Sequence, residues 1–372
     1  MIPFGIYLHW PFCRSKCPYC DFASFPARKI DFPAWEKAYV RCLEAYAVRT
    51  EGKTVSTIFF GGGTPSLMPP ELTAALLAAI RRLWPVDSGV EISMEANPGT
   101  LDALKMGGFA AAGINRLSIG VQALNDTDLK FLGRLHDTET ALEALRNARN
   151  IFAEVSADFI YARPNQTLES WKQELERILE LNLSHLSLYQ LTLEEGTFFH
   201  KKGLELPEEE LAADLFETTD RMTYQAGLPR YEVSNHARKG HICRHNLMYW
   251  QGGEWLGIGP AAHGRFTQDG TTYATVQERQ PSEWLKSRAA REEILTLQER
   301  AEELILMGFR TDEGILRDRF REITGRAPED FMHPGTLADY QADGLLIRDT
   351  KGLRLTARGL LILNALIPAL LA

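Results

Sequence analysis

The sequence predicts an α/β fold, a partial (β/α)6 barrel of six consecutive βα units followed by a small winged-helix-like domain. Two observations carry this expectation. Short β-branched or apolar runs alternate with longer stretches of helical period over the N-terminal part of the 372-residue chain, the pattern of parallel strands joined by helices. After about residue 290 the texture changes to two helices, a short run with a central turn and an apolar terminal helix. The expected division is a barrel over residues 1–200, a barrel extension over 201–290 and the C-terminal domain over 291–372.

The strands are expected at residues 5–10, 56–60, 89–95, 115–122, 155–161 and 185–191. Each is short and apolar or β-branched, bounded by turn-forming residues. Helix starts are marked between them. Pro69-Pro70 precedes a helix at 71–84, Asn125 can cap 126–132, and Thr167 can cap 168–181, because these residue types satisfy or dispense with the free N–H groups of a first turn. In the C-terminal domain, Asp349-Thr350-Lys351-Gly352 reads as a turn within 345–356. The last run, 359–372, is strongly apolar but too short to span a bilayer and contains Pro368, so a buried helix is expected.

Composition narrows the function classes. With 45% hydrophobic and 24% charged residues the chain can build one large core plus an appended domain. A formal net charge of −8 argues against a nucleic-acid partner, which calls for a basic face. The first residues lack a basic segment followed by an apolar run and a cleavage site, so a cytoplasmic protein is expected. Five cysteines, three of them crowded into 13–20, are poor material for a disulfide framework and better suited to reduced thiolates holding a metal. Cys42 lies in a helical stretch and is read as a small packing residue.

Cys13-x3-Cys17-x2-Cys20 falls on one loop directly after the first strand. A cubane iron–sulfur cluster takes four ligands, so three cysteines leave one iron open for chemistry. The alternative is a closed zinc site, with His9 or Cys243 as fourth ligand. In a parallel barrel, function gathers at the C-terminal strand ends. Polar or glycine-rich signals recur there: Gly61-Gly62-Gly63-Thr64-Pro65 after strand two, Glu95 at strand three, Gln122 at strand four with Arg134 beyond it, and Asp158 on strand five. Strict alternation sets Asp158 opposite to Val155, Ala157 and Phe159. Tyr7 on strand one would reach the same rim.

This set of residues resembles the radical S-adenosylmethionine (SAM) enzymes of the oxygen-independent coproporphyrinogen III oxidase group, over nearly the whole chain. The resemblance implies a 4Fe–4S cluster on Cys13, Cys17 and Cys20. It also implies that SAM chelates the open iron, with Gly62, Gly63 and Thr64 along its methionine end and Glu95, Gln122, Arg134 and Asp158 contacting amino acid and ribose. Tyr7 joins them. The chemistry agrees, since an amine wants carboxylate acceptors, a carboxylate wants Arg, and ribose hydroxyls want Asp or Gln.

Two departures set the chain apart from the oxidases. Phe22 stands where they have a fourth cysteine, and only twelve residues precede Cys13. Both features are similar to the shorter haem chaperones of the HemW type, as is His245-Asn246-Leu247-Met248-Tyr249-Trp250 followed by Leu256-Gly257-Ile258-Gly259 and His263-Gly264. That resemblance implies haem as a further cofactor and haem-accepting proteins as partners; the acidic charge and apolar C-terminal helix permit, without demanding, a partner at the membrane. His245 is the first candidate for the haem contact and Cys243 the second; a glycine-rich turn whose aromatics plug the barrel is the competing reading. Where relatives have Gly-Leu-Pro, this chain has Ala162-Arg163-Pro164, which would put a charge near the site. Three functions stay open here: haem chaperone, coproporphyrinogen III dehydrogenase (disfavoured by Phe22), and zinc-stabilised barrel.

Overall fold

The computed structural model describes residues 2–27, 29–286 and 290–371. Twelve strands of the described residues form one sheet: β1 (Phe4–Trp10), β2 (Val55–Gly62), β3 (Val86–Ala96), β4 (Arg116–Gln122), β5 (Glu154–Tyr161), β6 (His185–Gln190), β7 (Arg230–Glu232), β8 (Asn235–Ala237), β9 (Glu254–Ile258), β10 (His263–Gln268), β11 (Thr271–Val276) and β12 (Arg291–Ile294). Their order is β12-β11-β10-β9-β1-β2-β3-β4-β5-β6-β8-β7. The strands from β1 to β6 run parallel, as the alternating pattern requires. A difference from the expectation lies in β9, which adds a seventh parallel strand beside β1. Antiparallel strands then extend both edges. The edges do not pair with one another among the described residues, so the barrel is partial.

Helices α1 (Phe32–Ala47), α2 (Pro70–Leu83), α3 (Ala103–Ala112), α4 (Asp126–Phe131), α5 (Thr138–Ile151) and α6 (Leu168–Glu180) connect the first six strands. Their starts follow local chemistry. Asn125 accepts the Asp128 N–H, Thr167 accepts the Ser170 N–H, and Pro70 opens α2. The strands bury opposite faces in opposite company. Ile58 and Phe60, Leu117, Ile119 and Val121, and Val155, Ala157 and Phe159 join Leu76, Ile80, Trp171 and Leu175 of the helices in one core. The alternate residues, Ser93 and Glu95, Arg116 and Ser118, Ser156 and Asp158, His185 and Ser187, line the inside of the barrel. A TIM barrel fills that space with layers of aliphatic residues. A polar lining instead leaves room for a ligand.

Beyond β6 come α7 (Phe198–Lys202), α8 (Glu209–Gln225), α9 (Arg244–Trp250) and α10 (Pro281–Lys286). A second core belongs to α11 (Leu297–Gly308), α12 (Arg317–Thr324), α13 (Pro334–Ala342), α14 (Ala357–Leu361) and α15 (Leu363–Leu371), with the small sheet of β13 (Ile315–Leu316), β14 (Leu346–Arg348) and β15 (Gly352–Leu355). The turn between β14 and β15 is held by Asp349, whose Oδ1 accepts the N–H groups of Lys351 and Gly352. Leu363, Leu366, Ile367 and Leu370 of α15 are buried in this second core. Among the described residues no helix is long and apolar enough to cross a membrane.

Candidate functional site

The cysteine loop is fixed by the glycine turn that follows β2. Gly63 donates its N–H to the Trp10 carbonyl at 2.6 Å and Thr64 to the Phe12 carbonyl at 2.9 Å. A Cβ on Gly63 would lie 2.8 Å from the Phe12 oxygen and 2.9 Å from that of Trp10, so the two segments can approach this closely only because residue 63 has no side chain. Gly62 has φ 106° and packs on the His9 ring. The Thr64 hydroxyl donates to Cys13 Sγ at 3.4 Å, and Arg134 Nη1 donates to Cys17 Sγ at 3.6 Å. Burial pushes the Cys13 and Cys20 thiols up. A cationic centre is what converts such thiols into bound thiolates.

These cysteines open onto a cleft of about 440 Å³ that Gly62, Gly63, Thr64, Glu95, Gln122, Arg134 and Asp158 also line. Each reaches it for a local reason. Glu95 stands at the end of β3, where its Oε2 accepts the Gly62 N–H at 3.0 Å. A bulge between Gly120 and Gln122 turns Gln122 to φ 77°, a conformation a non-glycine residue adopts at a cost and so a mark of a functional constraint. Arg134 Nη2 donates to the Gly120 carbonyl at 2.8 Å, while its Nε is buried with no protein partner. Asp158 does face inward, because it shares its face with Ser156, and its Oδ1 accepts the Ser118 hydroxyl at 2.9 Å.

The cleft's electrostatics favour a cation. Burial, then the charge of nearby Asp158, pushes Glu95 up to about 8 against the lowering effect of the Gly62 N–H. Asp158 is raised as well, again chiefly by burial. An ammonium or sulfonium placed between them would restore both carboxylates to their ionised form. Three loop thiols, an unpartnered Arg134 Nε and two acidic groups on one cleft therefore fit a cluster-bound SAM.

Tyr7 and His245 do not reach this cleft. Both line a separate inner chamber of about 180 Å³ beneath it, and Glu95, Asp158 and Tyr189 border the two spaces. Tyr7 Oη pairs with His9 Nδ1 at 3.0 Å, and His9 Nε2 pairs with the Ala23 carbonyl at 2.9 Å. That engages both ring nitrogens of His9, one candidate fourth zinc ligand. The other, Cys243, lies in the inner chamber against Glu91, away from the cysteine loop.

The expected haem contact at His245 does not fit this geometry. The side chain is fully buried, its Nδ1 pairs with Thr57 Oγ1 at 2.8 Å and its Nε2 with Tyr249 Oη at 2.7 Å. Its ring stacks on Phe59. Burial pushes the imidazole down to about 3. Both nitrogens are used inside a chamber below the roughly 300–1,000 Å³ typical of pockets for drug-sized ligands. Cys243 is enclosed in the same way. Arg163 likewise does not line the cleft. Its guanidinium is buried in an ion pair with Glu174 of α6, lies 2.9 Å from Asp128, and donates to the Ile160 carbonyl.

Sequence reasoning missed the lower ring of this interior: Ser93, Arg116, Ser156, His185 and Ser187. The signal was present in strict alternation along β4, where Arg116, Ser118, Gly120 and Gln122 interleave with Leu117, Ile119 and Val121.

Comparison with known proteins agrees with the geometry. Residues 7–178 match the radical SAM superfamily, and residues 295–362 match the HemN C-terminal domain. The chain is 38% identical to radical S-adenosyl methionine domain-containing protein 1, mitochondrial, of Bos taurus, covering 99% of this chain and 87% of that one. It is 35% identical to heme chaperone HemW of Escherichia coli K12, covering 100% and 98%, and 34% identical to that of Haemophilus influenzae, covering 98% and 97%. Coproporphyrinogen III oxidase (HemN) from E. coli, a radical SAM enzyme, shares the fold with a TM-score of 0.83 at 23% identity, over 99% of this chain and 90% of its own. Similarity running through both domains from end to end makes the chain a member of the HemW-type branch of the radical SAM superfamily.

Proposed function

We propose that this protein is a haem chaperone: it holds a 4Fe–4S cluster on Cys13, Cys17 and Cys20, binds SAM in the adjoining cleft, binds haem, and passes haem to haem-dependent proteins in the cytoplasm or at the membrane. The observation that carries the cofactor part is the convergence of the three thiols, Gly62, Glu95, Arg134 and Asp158 on one cleft. Its haem part is supported by end-to-end similarity to proteins named heme chaperones.

When bound, a reduced cluster of this kind supplies one electron to the SAM sulfonium. The chain's own part is orientation and electrostatics. Glu95 and Asp158 offer acceptors for an ammonium and ribose hydroxyls, while Arg134 offers a guanidinium for a carboxylate. Donors from Thr64 and Arg134 to the cysteine sulfurs stabilise negative charge on them and so tune the cluster's potential. Buried Trp10 and the Phe12 segment shield the loop from the helix side.

The test is anaerobic reconstitution with iron and sulfide, followed by haemin titration and a coproporphyrinogen III turnover assay on the same sample. A 4Fe–4S spectrum with stable haem binding and no product is the expected result. Product formation would instead make the protein an oxidase despite Phe22.

A further inference from the structure

We propose that haem sits at the mouth of the cofactor cleft, one face on Phe22 and its carboxylate edge at Lys16, an assignment that rests on the haem-binding reading above. Phe22 is two residues beyond Cys20, lines the cleft, and is 54% exposed. The position of this exposed ring is set by its backbone. Its carbonyl accepts the Ser24 N–H at 2.7 Å and the Lys16 ammonium at 3.1 Å, so the backbone that carries the ring is held from two sides. The loop presents an exposed apolar face beside a cation.

That pairing matches the chemistry of haem, a flat apolar macrocycle with two carboxylates on one edge. Tyr189, 42% exposed at the end of β6, offers a second aromatic ring along the same cleft. Asp21 and Glu194 also line the cleft, which leaves the Lys16 side for the carboxylates. Size points the same way. A macrocycle exceeds the 180 Å³ inner chamber that encloses His245, whereas the mouth is open to solvent and needs no rearrangement of the buried network. Haem would then lie against the cluster loop itself, between the cofactors and an incoming acceptor protein.

Titration of haemin, and of iron-free protoporphyrin IX, into the anaerobically reconstituted full-length protein tests this, because stacking and carboxylate contacts need no iron. Phe22→Ala is expected to weaken both ligands about tenfold, from the loss of part of an aromatic burial, and Phe22→Trp to retain them. Lys16→Glu, an exposed change with no core to disturb, is expected to weaken both severalfold, more so at low salt. Iron and sulfide content should stay at the wild-type level in all three. Wild-type affinity in both Phe22→Ala and Lys16→Glu would overturn the mouth site while leaving the chaperone reading intact. A wild-type protein that binds no haemin would overturn that reading, and this assignment with it.

Discussion

Gly63→Ala asks whether the glycine turn truly holds the cluster loop. The new Cβ would stand 2.8 Å from the Phe12 carbonyl oxygen and 2.9 Å from that of Trp10. Both are backbone atoms of the segment entering Cys13, and neither can rotate away as a side chain would. They also accept the Gly63 and Thr64 N–H groups, so the contact cannot relax without stretching those bonds. Reaching ordinary van der Waals separation takes a shift of about 0.6 Å. Overpacking of this kind costs about 1–3 kcal/mol, which for a chain of this size lowers Tm by roughly 1–5 °C. Because the displaced segment carries Cys13, iron and sulfide content after anaerobic reconstitution should fall as well. Gly89→Ala is the control: nothing lies within 4 Å of its Cβ, so cluster loading and Tm should hold. If Gly63→Ala loads and melts like the wild type, the glycine turn is not what fixes the loop.

Other substitutions separate the cofactor cleft from its scaffold. Glu95 is held at about 8, above its ordinary value of 4.5, so the folded chain keeps a proton that the unfolded chain releases; its stabilising effect is complete below pH 4.5 and is lost as pH rises towards 8. Without ligands, Tm should therefore fall with pH across that window less steeply in Glu95→Gln than in the wild type. A cation bound beside Glu95 lowers its pKa, so SAM binding at pH 7 should release protons, read by calorimetry in buffers of different ionisation enthalpy; release undiminished in Glu95→Gln would assign it elsewhere. Arg163→Leu strands Glu174 in the core, which costs about 3–5 kcal/mol, and should lower Tm while leaving SAM affinity unchanged. His245→Ala removes two buried hydrogen bonds and should cost about 1–3 kcal/mol with no change in haemin affinity or spectrum; a lost haem spectrum in a folded variant would restore His245 as the contact.

Strands β1 to β6 were legible because each is an apolar run buried on its helix-facing side and bounded by turns, and the expected limits fall within about three residues of those observed. The cleft residues were legible for a different reason: they stand at strand ends in a recognisable set. What escaped was non-local. Strand β9 pairs in parallel with β1 across roughly 250 residues of chain, and nothing in Glu254-Trp255-Leu256-Gly257-Ile258 names its partner. Two readings were also reversed by packing. Arg163 looked like a charge at the site until Glu174, eleven residues on, was seen beside it, and His245 looked like a ligand until Thr57 and Tyr249 engaged both its nitrogens.

Those reversals share a cause that bears on how the protein divides its work. The alternation of each strand sends one set of side chains to the helices and the other to a polar interior, and the interior is layered. Gly62, Glu95 and Asp158 form an upper layer facing the cysteines. Arg116, His185, Cys243 and His245 line the space below it, and Glu91 ties that level to α9 by accepting the Arg244 and His245 N–H groups. The buried histidines of the lower layer are pushed down, so they remain neutral and hydrogen-bonded at physiological pH. A floor built in this way resists rearrangement, since freeing any one nitrogen strands a partner. It can hold the upper layer at fixed spacing, whereas a large ligand that must be taken up and released belongs at the rim, where Phe22 remains exposed.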